Sequence, residues 1–471
     1  MGRFGFACLS VVLATGCLDP DPGGAASTAG SGATSSDASS EGGSSSTASA
    51  DTTGDAATDT TAASSECDPP CGRDSVCVDG TCVEQECDPA VRCCVDGRPC
   101  EDACVGSEDC EGGTCEDRGG FLTCTAPREL PFCEAGPALS RWILVPVEEP
   151  AAALAVADVL PSPGDELFVA GFESSLLLSD AGASSISGPT VDACGAEAAF
   201  AVRLGGGATG FAALRGLGGE VVLATLDVDA LVLGPPQAVG VGRGASADFD
   251  DDGIDDLFGG IGGSVETQTL AYGAGTGFVV GPTLEQRAWA WVAAQYDDQV
   301  GADVVLHELD GPSLLVTEVT GRPTAVALEG GVSDNRDLAT GDFDGDGDDD
   351  IVGLARSSDS VVLYPWQNVG RGSPTYLSPA VAPDAPGAPA RFWNTVGDFD
   401  GDGADDVAVG TNSTLRLYFG DPTGGGLLRC HAWLATPHAS TTLAAGDFDG
   451  DGFDDIAFAG GTAELSIFAH D

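Results

Sequence analysis

The stretch Asp398-Phe-Asp-Gly-Asp-Gly-Ala-Asp-Asp406 recurs in the second half of the chain as DFDDDGIDD from Asp248, DFDGDGDDD from Asp342 and DFDGDGFDD from Asp447. Every copy has Asp at positions 1, 3, 5 and 9 and Gly at position 6. A hard dication takes six to eight oxygens at short range, and Asp offers them on a short stem. Alternate spacing along a tightly turned loop points every second carboxylate inward. Glycine at position 6 permits the sharp turn that brings the ninth residue back to the ion. The predicted ligands are therefore Asp248, Asp250, Asp252 and Asp256; Asp342, Asp344, Asp346 and Asp350; Asp398, Asp400, Asp402 and Asp406; and Asp447, Asp449, Asp451 and Asp455. Position 7 would add a backbone carbonyl, from Ile254, Asp348, Ala404 and Phe453.

Between the first two copies lies a decayed one, Gln295-Tyr-Asp-Asp-Gln-Val-Gly-Ala-Asp303. Upstream, Asp158-Val-Leu-Pro-Ser-Pro-Gly-Asp-Glu166 precedes an apolar run in the same way, and a more eroded copy starts near Arg203. The seven starts, at 158, 203, 248, 295, 342, 398 and 447, step by roughly 45–56 residues. Between them run short β-branched and apolar stretches, such as 304–309, 313–320 and 351–354, bounded by Gly, Asp and Pro. That pattern reads as strands in hairpins. A repeat of this length built only of short strands predicts a β-propeller blade, with the acidic loop joining its first strand to its second. The last repeat ends after two strands, 455–460 and 464–470, while Arg141-Trp-Ile-Leu-Val-Pro-Val147 precedes the first repeat without a partner. The N-terminal strand is expected to complete the seventh blade and latch the ring, which removes its edges.

At these residues the chain resembles the FG-GAP/VCBS family, whose repeats form the seven-bladed propeller at the head of integrin α subunits. The resemblance spans roughly residues 141–471 and is carried by the four intact loops. It implies an all-β, seven-bladed propeller and about four Ca²⁺ sites on the aspartates named above. It also implies that those loops lie on the face opposite the ligand surface. Gln295 and Gln299 put two amides where the intact loops have carboxylates, so the fourth repeat is not counted as a site. Leu160 stands at position 3 of the first repeat, which is expected to be metal-free.

The N-terminal part reads differently. Arg3 followed by the apolar stretch 4–13 has the pattern of a signal peptide, too short for a permanent span. Leu13-Ala-Thr-Gly-Cys17 resembles a bacterial lipobox, which implies lipidation at Cys17 and, with Leu18 after it, the outer membrane. The expected organisation is signal peptide 1–17, disordered linker 18–66, disulfide-rich EGF-like region 67–133 and propeller 134–471. The linker consists mostly of Ser, Thr, Ala, Gly and Asp and cannot bury enough apolar surface to offset its ordering entropy. As a flexible coil it would reach about 35–40 Å. Thirteen cysteines fall between Cys67 and Cys133, a density that replaces a hydrophobic core by disulfides in an oxidising compartment. Cys133, Cys194 and Cys430 are left over, and spacing does not assign their partners.

The formal charge of -56, with 18 Arg and no Lys, excludes nucleic acid as a partner. No zinc-protease helix, nucleophile elbow or phosphate loop occurs, and the four histidines, at 307, 431, 438 and 470, form no catalytic motif. The sequence is therefore read as a non-enzymatic, monomeric, lipid-anchored envelope protein that binds a protein or glycan. The alternative is a propeller-based hydrolase or lyase acting on polysaccharide or lipid. For the ligand face, the segment from Tyr364 through Trp366 and Arg371 to Tyr376 offers aromatics beside a cation; the competing reading is an aromatic lid over the core.

Overall fold

In the computed structural model, the described residues are 127–471, apart from short connecting stretches, and four strands further upstream. Those four form two hairpins, Ser75–Val78 with Thr81–Glu84 and Thr114–Asp117 with Leu122–Thr125. Their registers set Cys77 opposite Cys82 and Cys115 opposite Cys124. Cys17, the rest of the linker and cysteine-rich region, Cys194, Arg371 and His438 lie outside the described residues.

Residues 139–470 form seven antiparallel sheets. Blade six shows the plan, with Trp393–Gly397, Asp406–Gly410, Thr414–Gly420 and Leu428–Ala435 paired in sequence order. The first strands of successive blades touch in a closed circuit, blade seven returning to blade one. The chain is thus a seven-bladed all-β propeller, as the repeat count predicts. Among the described residues there is no helix.

The second strand of each blade is apolar without alternation, as in Asp406–Gly410 and Asp455–Ala459, because neighbouring blades cover both its faces. The outer strands alternate or are open to solvent; Thr324–Ala327 is exposed throughout. The apolar core is accordingly divided into seven wedges, one between each pair of neighbouring blades. Phe249, Phe343, Phe399 and Phe448, at position 2 of the four intact motifs, are fully buried in these wedges, and Tyr296 takes the same place in the decayed repeat.

The ring closes as expected. Leu139–Pro146 pairs antiparallel with Glu464–His470 and supplies the fourth strand of blade seven. Leu139 and Val145 enter the wedges on either side of that blade.

The propeller also takes in residues upstream of the boundary set at 133/134. Arg128–Glu129 pairs in parallel with Ala380–Val381 at the rim of blade five. Leu130 is buried in the wedge between blades five and six. Beyond it, the His431 N–H donates to Pro131 O, and the Cys133 N–H donates to His431 O. Cys133 and Cys430 form a disulfide with Cα atoms 5.2 Å apart. Residues 128–133 are therefore a strap across the outer edges of blades five and six, riveted to blade six. Sequence spacing left both cysteines unassigned, because residues 297 apart carry no local pairing signal.

Candidate metal centres

Each intact motif fills the connection from the first strand of its blade to the second. The position 1 carboxylate sits at the centre of the turn. Asp398 accepts the N–H groups of Asp402 and Gly403 at 3.1 and 3.0 Å, and Asp248, Asp342 and Asp447 do the same in their loops. The position 6 glycines have φ of 84° to 95°, where a side chain is strained. Position 4 is also left-handed, and in the first intact loop Asp251 stands there at φ 58°, a conformation Asp tolerates better than most residues.

Positions 1, 3 and 9 converge. In Asp248/Asp250/Asp256, Asp342/Asp344/Asp350, Asp398/Asp400/Asp406 and Asp447/Asp449/Asp455, one carboxylate oxygen from each residue lies within 4.8 Å of the others. The position 5 aspartates, Asp252, Asp346, Asp402 and Asp451, fall outside these triads. Each instead accepts the N–H of its position 7 residue, Ile254, Asp348, Ala404 or Phe453, at 2.8–3.1 Å. That bond leaves the second oxygen of Asp252, Asp346 and Asp451 available, while Asp402 Oδ2 accepts from Arg429.

The electrostatics show what the triads lack. Burial, reinforced by neighbouring carboxylates, pushes Asp406 up to about 9, Asp350 to about 8, and Asp256 and Asp455 to about 7. Asp344 Oδ1 and Asp350 Oδ2 are buried and accept no hydrogen bond, as are Asp400 Oδ1 and Asp449 Oδ1. A buried carboxylate oxygen without a donor is costly. A divalent cation bound among these oxygens removes that cost, so the residues present fit a hard, oxygen-loving metal.

The decayed loops are self-sufficient. The Gln295 amide donates to Asp297 O and Gln299 O at 2.6 and 2.7 Å, putting a donor inside the loop. In the first blade, Glu166 Oε2 accepts the Val159 and Leu160 N–H groups. Among the described residues, neither loop contributes a metal-sized carboxylate cluster. Both keep the position 9 acid, and the reason is structural. Asp406 accepts N–H groups from Phe399 in its own loop and from Gly420 at the end of the third strand. Asp455 likewise joins Phe448 to His470.

Position 8 has a role that reading the loop as a ligand set missed. Asp405 of blade six accepts the Asp342 N–H of blade five at 2.9 Å and returns its own N–H to Asp342 O at 2.8 Å. Asp454 does the same to Asp398, Asp165 to Asp447 and Asp255 to Arg203. Each position 8 aspartate thus grips the first residue of the preceding blade's motif. The signal was present as the Asp-Asp doublet ending all four intact copies. Asp405→Ala should cost about 1–3 kcal/mol by leaving the half-buried Asp342 N–H unmet, while Asp405→Asn, which keeps the acceptor, should cost less. Thermal denaturation of both variants checks this; equal losses would contradict it.

The segment considered for the ligand face is placed otherwise. Tyr364 and Trp366 are buried in the wedge between blades four and five, and Tyr376 packs on Trp366 at 5.7 Å. Tyr364 and Trp366 thus close the core, and Tyr376 is half-buried against them. His307, His431 and His470 are buried; His431 Nδ1 faces Leu130 O, and the His470 ring stacks on Phe453.

A family model described as an FG-GAP-like repeat matches residues 342–408 and 398–458. Blades five to seven of the propeller thus carry FG-GAP-like repeats. No curated protein matches it. Solved structures similar to it include BBS1N in complex with ARL6DN, from a crystal soaked with mercury. That likeness has 12% identity and a TM-score of 0.46, covering 72% of this chain and 98% of that one. The same complex soaked with lead gives 14%, 0.42, 69% and 94%. A lectin of Agrocybe aegerita, described as recognising non-reducing terminal N-acetylglucosamine, gives 13%, 0.40, 62% and 86%.

Proposed function

We propose that this FG-GAP-like propeller is a calcium-stabilised binding module for a protein or glycan, held at the bacterial outer membrane by a lipid on Cys17. The observation that carries the calcium reading is the set of buried aspartate oxygens, foremost on Asp344 and Asp350, that meet no donor within the protein. Calcium is favoured over magnesium because the loops offer many oxygens from one flexible turn, whereas magnesium demands near-ideal octahedral geometry and sheds water reluctantly. The loops are structural. They grip one another around the ring, so calcium fixes blade positions and leaves the opposite face to be varied for recognition. Calcium titration by calorimetry, with a glycan array and a cell-surface pull-down run in calcium and in chelator, tests the whole reading. Absence of bound calcium would remove its basis.

The anchor rests on the lipobox-like residues 13–17. Cys17→Ser should release the protein from membranes or block its processing. Unchanged partitioning of the variant into the detergent phase would rule the lipid out.

A further inference from the structure

The four cages share one ligand pattern but differ in what else reaches them. In blade five the neighbour is neutral: the Gln367 amide donates to Asp344. In blade seven, Arg141 touches Asp449 alone, at 3.3 Å, from a side chain half open to solvent. In blade three, Arg203 lies chiefly against the position 8 residue Asp255, at 2.8 Å, and is 3.8 Å from Asp248. Blade six is different. There the Arg429 guanidinium donates with one nitrogen to Asp400 and with the other to Asp402, the position 3 and position 5 carboxylates. The guanidinium carbon also lies 5.9 Å from the centre of the Phe419 ring.

From this we infer that Arg429 is a tethered cation that closes the blade-six loop when metal is absent and must be displaced for metal to bind there. The loop 398–406 is then the low-affinity site of the four. A guanidinium fork matches two carboxylates better than an ammonium does, and it holds them at fixed separation. A dication needing six to eight oxygens cannot forgo two of the four carboxylates of its loop. The two cations therefore compete for the same two carboxylates, most directly at Asp402, where Oδ1 already accepts the Ala404 N–H and Oδ2 takes Arg429. Arg429 is also well held for this role. It precedes Cys430, whose disulfide to Cys133 fixes the strand Leu428–Ala435 from which Arg429 reaches the loop. A charge-assisted contact of this kind, partly open to solvent, should weaken metal binding about tenfold. The other three cages escape this competition because no cation spans two of their motif's position 1, 3, 5 and 9 ligands among the described contacts.

This inference rests on the calcium reading proposed above, and the experiment separates the two. Calorimetric calcium titration of the whole chain, with ions counted by native mass spectrometry, should give three tighter sites and one about tenfold weaker. Arg429→Gln should bring the weak site level with the rest. Asp400→Asn should abolish the weak site alone, whereas Asp449→Asn should remove a tight one. In denaturation, Arg429→Gln should melt lower than the parent in chelator but not in saturating calcium, an inversion that a merely structural arginine would not produce. Should Arg429→Gln fail to fold, the pair Asp400→Asn and Asp449→Asn decides the matter. Four equivalent sites in the parent, or loss of a tight site on Asp400→Asn, would overturn the role of Arg429 and leave calcium binding intact. No bound calcium at all would instead overturn the calcium reading.

Discussion

Chelating calcium is expected to lower the melting temperature of the purified protein by about 5–10 °C, and magnesium should restore little of it. Extracellular modules bind calcium with Kd of about 10⁻⁴–10⁻³ M. At about 1 mM calcium and a Kd near 0.1 mM, each loaded loop contributes about 1.4 kcal/mol. Three or four such loops contribute about 4–6 kcal/mol, and for a domain of this size that is the stated shift. Acidity supplies a signature that the ion alone can explain. Without metal, burial holds Asp406, Asp350, Asp256 and Asp455 well above the ordinary carboxylate range, at about 9, 8, 7 and 7. A carboxyl raised on folding stabilises the fold while it is protonated, so its contribution is full below about pH 4 and lost as pH rises through its folded value. The chelated protein should therefore lose stability steadily from about pH 4 to about pH 9. Calcium, which binds the deprotonated form, should give its greatest increment at the alkaline end. A calcium increment that does not grow with pH would contradict the cages as drawn.

Replacing residues 139–147 by a Gly/Ser segment of equal length should have the larger effect and abolish cooperative folding. The strand Leu139–Pro146 is joined to the last strand of the chain along its whole length. Its loss uncovers Leu465 and Ile467, both buried, and removes Leu139 and Val145 from their wedges. Each such side chain is worth about 1.5–3 kcal/mol. Together they approach the entire stability of an ordinary domain. The freed strand Glu464–His470 would in addition present an unpaired edge, which promotes aggregation. Size-exclusion chromatography and thermal unfolding read the result. A variant that stays monomeric and melts like the parent would mean that this strand is not what closes the ring.

Both effects trace to features legible in the sequence, because each is encoded locally. Nine residues from Asp398 to Asp406 carry the turn, the ligand set and the start of a strand. Seven such starts at near-constant spacing fix the blade count. Contacts between blades left weaker marks. The Asp-Asp doublet was visible, but its second function emerges only when Asp405 is set beside Asp342, from the preceding repeat. The strap 128–133 has no periodicity, and nothing local pairs Cys133 with Cys430. Tyr364 and Trp366 suggested a recognition surface because aromatics beside Arg371 have that character in an exposed loop. They lie instead in Ser360–Gln367, a third strand covered on both faces, and whether such a strand faces solvent is settled by the neighbouring blade.

The rivet between Cys133 and Cys430 also determines how the molecule bears a load. A pull arriving from the N-terminal side travels along the chain only as far as residue 133 and there crosses a covalent bond into blade six. The ring-closing strand begins six residues later and is spared. Without that bond, the same pull would act end-on at Leu139 and unzip the ladder to Glu464–His470 one hydrogen bond at a time. The latch most easily peeled is thus taken out of the force path, and a pull from the N-terminal side loads the outer strand of blade six, Leu428–Ala435, in place of the last strand of the chain.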